Sequence, residues 1–399
     1  MNLNMNQILN NITGSEIIKI SQKIKASEHH VFNLSIGDFD SEINSIPTKL
    51  RDGIIEEYMN NSTDYPMSQG ELTLRQAVSK FSYYAPEEIL IGAGARPLIY
   101  TLFKGIVEVG DYVLYSVPSW NNNHYCFLHG TGKIEIECTP KNNFFPTVED
   151  VKSNLYRTRL VCLCSPQNPT GKAIDPDVLK GICDAIVLEN KTKERKTYLF
   201  FDQIYSELAP MGFVHPLEVC PDIKDYLICI DGVSKSLCAT GIRVGWMTGP
   251  VDLITKMTNV FSHIGAWAPK PEQLAVASYL NSDEMFSFIN DKIMQYGEIS
   301  ESICYFLLKM KNLHYKVDYK TPDGGIYISL YLGYNDKFES LEAFIDFLIE
   351  NGIGIVPFEY FGSKSNKGWF RISIGTIGQH QLESLFLKLE ETIKKLHDK

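Results

Sequence analysis

Seven short apolar runs, each of strand length, recur between residues 87 and 249 of this 399-residue chain. They are EEILIGA (87–93), DYVLYSVP (111–118), KIEIEC (133–138), RLVCLCS (159–165), TYLFFD (197–202), YLICID (226–231) and VGWMTG (244–249). Several are almost continuously apolar, the pattern of strands covered on both faces. Helical segments separate them, notably RPLIYTLFKGIV (96–107), with Pro97 suited to a first turn, and DPDVLKGICDAIVLENK (175–191). The alternation predicts an α/β domain over residues 45–290, with a mostly parallel central sheet and helices on both faces. A long helix is expected over about 282–311. Beyond it, strands (GIYISLYL, WFRISI) mix with amphipathic helices (SLEAFIDFLIENG, QLESLFLKLEETIKKL). That reads as a smaller α+β domain, 291–399, joined by the N-terminal segment 1–44.

Composition removes several function classes. A net charge of −10 and no basic run interleaved with aromatics argue against a nucleic-acid surface. No stretch approaches the roughly 18 apolar residues of a membrane helix, and the opening residues lack the basic head and apolar run of a secretory signal. Several of the nine cysteines lie inside apolar runs, as Cys162, Cys164 and Cys229 do. Buried reduced thiols and a cytoplasmic location are the expectation. Without C-x-x-C or H-x-x-H spacing, no metal site is expected.

Open α/β sheets bind ligands beyond the carboxyl ends of their strands. GAGARP follows the first run; it misses a dinucleotide fingerprint because Pro97 stands at the third glycine position. What remains is a turn opening a helix, where the amides of Gly94, Ala95 and Arg96 can form an anion cradle. Taken alone it could equally be a plain tight turn. Trp120 follows the second run and offers a flat face for stacking a ring, although core packing is the commoner role of such a residue. PQNPTG (166–171) holds Asn168 in a proline-rich turn, as a donor aimed at a ligand oxygen. Asp202 ends an apolar strand, where a carboxylate needs a partner, and Tyr205 follows it. Lys235 comes after YLICID among small residues, with Arg243 between Gly241 and Gly245. A lone Ser-Lys pair is usually a surface loop. A cradle, an indole, an amide, a carboxylate, a phenol, a lysine and an arginine at one sheet edge together match pyridoxal 5′-phosphate.

The ordered motifs SIGDFD (35–40), YPMSQGELTLRQAV (65–78), GAGARP, PSWNNNHY (118–125), SPQNPTG, FFDQIY (200–205), SKSLCATGIRVGW (234–246), PDGGIYISL (322–330) and FRISIG (370–375) resemble the class I/II aminotransferases of the aspartate aminotransferase superfamily, fold type I. Gly92 and Gly232 stand where that family often has hydroxyl residues. The resemblance implies a Schiff-base lysine at Lys235, which also moves the proton. It implies Asp202 on the pyridine nitrogen, Asn168 and Tyr205 on the ring oxygen, and Trp120 against the ring. Ala95, Arg96, Ser234 and Arg243, with Gly94 in the turn, would hold the phosphate. Arg371 would grip the substrate carboxylate, aided by Gly37 and Asn168. Tyr65 would reach the phosphate of a neighbouring subunit, making a homodimer with shared sites. The expected activity is amino-group transfer between an L-amino acid and a 2-oxo acid. A C–S lyase, a cyclising synthase or another elimination enzyme on the same fold is the alternative, and a non-catalytic relative is a more distant one. Phe39 and Trp267 suit an apolar or aromatic substrate side chain, or equally dimer packing.

Overall fold

The structure, a computed structural model, describes residues 8, 12, 14–209, 212–333 and 338–398. In chain order the strands that organise it are β1 (Phe32–Asn33), β2 (Ile89–Gly92), β3 (Tyr112–Val117), β4 (Gly132–Glu137), β5 (Thr158–Cys164), β6 (Tyr198–Asp202), β7 (Leu227–Gly232) and β8 (Gly245–Thr248). The C-terminal part adds β9 (Asp318–Lys320), β10 (Tyr327–Tyr331), β11 (Ile353–Gly354), β12 (Val356–Pro357) and β13 (Trp369–Ser373).

Seven of them form one sheet in the order β2-β8-β7-β6-β5-β3-β4. Only β8 runs antiparallel to its neighbours; the pairs from β7 through β6, β5 and β3 to β4 are parallel. Every residue of β2, β7 and β8 is buried, which is why those runs carry no polar alternation. Helix Ala95–Ile106 presents Leu98, Ile99, Leu102, Phe103 and Ile106, spaced at three to four residues, to one face of the sheet. On the other face, helix Pro176–Thr192 packs Leu179, Ile182, Cys183 and Ile186 against Val161, Leu199 and Phe201. Asp175 caps that helix by accepting the amides of Asp177 and Val178. The chain goes from β3 to the edge strand β4, then crosses back to β5 on the other side of β3. From β5 the strands advance the opposite way. The crevice at this reversal, beyond the carboxyl ends, is where an open sheet of this kind receives ligand.

A separate four-stranded antiparallel sheet, β12-β13-β10-β9, packs its core of Ile326, Ile328, Leu330, Phe370 and Ile372 on helix residues Ile299, Ile303 and Leu307. The N-terminal segment joins this part through the parallel pair β1 and β11, with Phe32 opposite Ile353. Helix Glu284–Asn312 is continuous through residue 290. Among the described residues, no helix is long and apolar enough to cross a membrane.

Candidate active site

The reversal in strand order opens a cleft of about 840 Å³. Its walls come from three places: the segments after β3, β5, β6 and β7, the N-terminus of helix Ala95–Ile106, and residues that the second sheet and the N-terminal segment bring over the top. Ala95, Arg96, Trp120, Asn168, Asp202, Tyr205, Ser234, Lys235, Arg243, Gly37 and Arg371 all border it. Two of the expected residues do not. Tyr65 is 85 % exposed and packs edge-on against Trp267, with ring centroids 5.7 Å apart. Gly94 is not among the lining residues.

Parallel strands explain the convergence. Asp202 and Cys164 sit side by side at the ends of β6 and β5, and Asp202 pairs with Ile230 of β7. Residues just beyond neighbouring strand ends therefore meet at one edge, however far apart they are in sequence. Lys235 sits in the short helix Val233–Ser236 that follows β7 and donates to the Gly37 carbonyl at 2.5 Å. Burial pushes its amine down to about 8, against the pull of Asp38; Arg371 and Arg96 act in the same direction as burial. Asp202 accepts the Ile204 amide at 3.1 Å. Burial pushes its carboxyl up to about 6, which the Ile204 amide and Lys235 partly oppose. Among the described residues, Asp202 forms no ion pair. A cation brought against it would hold it ionised.

The anion cradle differs from the expected three amides. Gly94 donates its own amide to the Gly92 carbonyl at 2.7 Å, leaving the amides of Ala95 and Arg96 at the helix start. The function of Gly94 is space. It has φ +80°, and a Cβ there would stand 2.3 Å from Arg243 Nη2. Arg243, itself at φ 60°, ties the cradle to the lysine turn by donating to the carbonyls of Thr240 (2.7 Å) and Ala93 (3.0 Å). Gly92 and Gly232 have no room for the hydroxyl side chains common in the resembling family. A Cβ at Gly92 would meet the Phe261 ring at 2.8 Å, and one at Gly232 the Gly245 Cα at 2.8 Å. The Arg96 guanidinium lies over the Trp120 ring, 5.0 Å from its centroid.

Arg371, on β13, is 1 % exposed. It donates through Nη1 to Asn168 Oδ1 at 2.9 Å and through Nη2 to the Ser35 carbonyl, while its Nε–H is buried without a partner. No carboxylate among the described residues pairs with it, and burial lowers its pKa. An unneutralised buried guanidinium on the wall of a cleft is a place for an incoming anion.

Sequence reasoning missed several lining residues. Asp38 lies inside a quoted motif; it accepts from Thr240 Oγ1 at 2.7 Å and from the Phe39 amide at 2.9 Å. Phe39, which the sequence did single out, is not among the lining residues, and its ring centroid stands 5.6 Å from Lys235 Nζ. Tyr327, at the start of β10, brings its hydroxyl to 2.7 Å from that of Tyr205. Helix Glu16–Lys25 contributes Ile17, Ser21 and Gln22 to the rim.

The donor set fits pyridoxal 5′-phosphate. It has an amine able to be neutral, an unpaired carboxylate for a ring nitrogen, a phenol, a flat indole, and a helix N-terminus backed by a guanidinium that only a glycine leaves room for. A family model described as "Aminotransferase class I and II" matches residues 29–387. The chain is 29% identical over 388 residues to an aspartate aminotransferase of Bacillus sp. (strain YM-2), covering 92% of this chain and 93% of that protein. It is 27% identical to a probable aspartate/prephenate aminotransferase of Rhizobium leguminosarum bv. phaseoli, covering 96% of each. The fold is that of the aspartate aminotransferase from Thermus thermophilus with maleate (TM-score 0.86, 21% identity, 97% of this chain and 99% of that one).

Proposed function

The chain belongs to the class I and II aminotransferases and is a pyridoxal-phosphate-dependent aminotransferase, and on that premise we propose which of its residues do the work, on an L-amino acid and a 2-oxo acid. The observation that carries the reading is the buried Arg371 guanidinium, without a carboxylate partner, in the same cleft as the Lys235 amine and the Asp202 carboxylate.

In this reading Lys235 holds the cofactor covalently, and the cofactor when bound supplies an electron sink for the bond broken at the substrate α-carbon. Asp202 would accept the hydrogen bond of the protonated ring nitrogen and keep that proton in place. Tyr205 and Asn168 would address the ring oxygen, and Trp120 would cover the ring. Ala95 and Arg96, through their amides, and Ser234 and Arg243 receive the phosphate. Arg371 takes the substrate α-carboxylate in a two-pronged pair, with the Gly37 backbone and the Asn168 amide beside it. That grip fixes which α-carbon bond faces Lys235. Once displaced from the cofactor by the substrate amine, an amine held down to about 8 would be partly neutral just above pH 7, so Lys235 could remove a proton at the α-carbon and return one to the cofactor carbon on the far side of the nitrogen.

Residues 1–44 and 291–399 would then form a small domain able to close on substrate, carrying Gly37 and Arg371 with it. A homodimer with Tyr65 reaching the partner's phosphate is supported by the exposed apolar side chains in the same stretch of chain, Ile55, Tyr58, Met59 and Met67. The nine free cysteines, eight of them buried, support a reducing, cytoplasmic setting.

A half-reaction tests the activity, with aspartate, named in the relatives, as the first donor to try. Excess amino acid without 2-oxo acid should abolish the visible band of the bound cofactor stoichiometrically and stop after one turnover per site. Adding a 2-oxo acid should restore it. A persisting band with ammonia or a thiol accumulating over many turnovers would replace the reading with an elimination enzyme.

The cradle has its own test. Gly94→Ala forces a side chain into a left-handed position and against Arg243. Such strain is worth about 1–3 kcal/mol, and cofactor retention should weaken about 5- to 150-fold in a fluorescence titration. Unchanged retention would remove Arg243 from the phosphate site.

A further inference from the structure

Tyr327 has no role in the scheme above, yet it touches three of its members. Its side chain is 2 % exposed. Its hydroxyl is 2.7 Å from that of Tyr205, and the two rings meet edge to face with centroids 5.4 Å apart. The Arg371 guanidinium lies over its ring, 4.6 Å from the centroid. A Cβ at Gly37 would stand 2.1 Å from its hydroxyl oxygen, so the segment carrying Gly37 is packed directly on it. Among the described residues, Tyr205 is the one hydrogen-bond partner of the Tyr327 hydroxyl.

We propose that Tyr327 is a positioning residue that orients and strengthens Tyr205 as a hydrogen-bond donor toward the cleft, while its ring supports the Arg371 guanidinium.

Each phenol has one proton to donate. If Tyr205 donated to Tyr327, it would have none for a ligand oxygen, and the Tyr327 proton would be left in a buried place with no acceptor. An unmet buried donor is costly. The opposite polarity leaves no such orphan once a ligand oxygen is present: Tyr327 donates to Tyr205, and Tyr205 donates outward. The cationic guanidinium over the Tyr327 ring favours this sense, because nearby positive charge makes a phenol a better donor. A hydroxyl that both accepts and donates is polarised by the bond it accepts, so Tyr205 becomes the stronger donor. No backbone group fixes the direction of the Tyr205 hydroxyl; the second phenol does.

The inference rests on the cofactor reading, because the oxygen that Tyr205 addresses belongs to the cofactor. A stronger donor there favours the deprotonated form of the bound chromophore, whose visible absorbance titrates with pH. Tyr327→Phe keeps the ring under Arg371 and removes only the hydroxyl. The midpoint of the absorbance titration, recorded on holoenzyme without substrate, should move up by about half a unit to one unit. Tyr205→Phe should move it further in the same direction, and adding Tyr327→Phe to that variant should change it no more. The Michaelis constant for the amino acid should stay near the parent's in Tyr327→Phe and rise in Tyr327→Leu, which removes the support under Arg371. An unmoved midpoint in Tyr327→Phe beside a moved one in Tyr205→Phe would overturn the proposal. So would shifts that simply add in the double variant. A parent protein that binds pyridoxal phosphate with no visible band would instead sink the cofactor reading itself.

Discussion

Lys235→Ala should leave a protein that binds pyridoxal phosphate and scarcely turns over. The lysine is asked both to hold the cofactor and to carry a proton between two carbons. Loss of a positioned general acid and base alone costs about 10²–10⁴-fold in rate. The phosphate cradle, Arg243, Trp120 and Asp202 are untouched by the change, so binding should persist through non-covalent contacts. Borohydride reduction of the parent should leave the cofactor on a single peptide containing Lys235, and reduction of the variant should leave none. Because burial is the largest influence on the Lys235 amine, ahead of Asp38 on one side and Arg371 and Arg96 on the other, its removal also relieves the cost of burying a charge. The variant should therefore melt no lower than the parent when both are freed of cofactor. A variant with near-parental turnover would end the assignment.

The second large effect belongs to Arg371. Its guanidinium is fully buried, tied to Asn168 and Ser35 on one side and offered to the cleft on the other. Truncating one member of a desolvated charge pair costs about 2–5 kcal/mol. For Arg371→Ala that corresponds to a Michaelis constant for the amino acid raised by about 30- to 4,000-fold. Arg371→Met separates binding from folding. A buried cation with no anion is itself destabilising, and an apolar residue of similar length often does better in such a place. The cofactor-free Arg371→Met protein should keep the parent's melting temperature or exceed it, while its Michaelis constant rises as in the alanine variant. Unchanged Michaelis constants for every donor would show that the carboxylate is gripped elsewhere.

The arrangement also has a rigid part away from the chemistry. Glu137, ending β4, accepts hydrogen bonds from the Ser363 hydroxyl, the Lys364 and Ser365 amides and the Ser365 hydroxyl. These bonds hold the Glu137 carboxyl below its ordinary range, against the burial that raises it most. They pin the loop that follows the short helix Phe358–Phe361, and the Phe361 ring lies 4.9 Å from the Arg371 guanidinium. The main sheet therefore fixes one wall of the arginine's pocket, even though the arginine stands on the second sheet.

How far the sequence reached follows from the kind of interaction involved. Strands such as YLICID and TYLFFD were legible because burial on both faces demands an uninterrupted apolar run, which is a local property. Helices Ala95–Ile106 and Pro176–Thr192 were legible from their spacing and from proline in the first turn. Asn168, Asp202 and Lys235 could be grouped because each follows a strand, and parallel strands bring their carboxyl ends to one edge. Resemblance to a family supplied Arg371 and Gly37, which no local pattern marks. Tertiary structure alone decided the rest. Tyr205 and Tyr327 are 122 residues apart, and Lys235 and Gly37 198 apart. Such contacts depend on how the second sheet lies over the first. The same is true of Gly94, which looked like a donor in a cradle. Its glycine is required because Arg243, arriving from a turn 149 positions later in the chain, occupies the space a side chain would need. Periodicity records which face of an element is buried; it has no term for what a distant element places against that face.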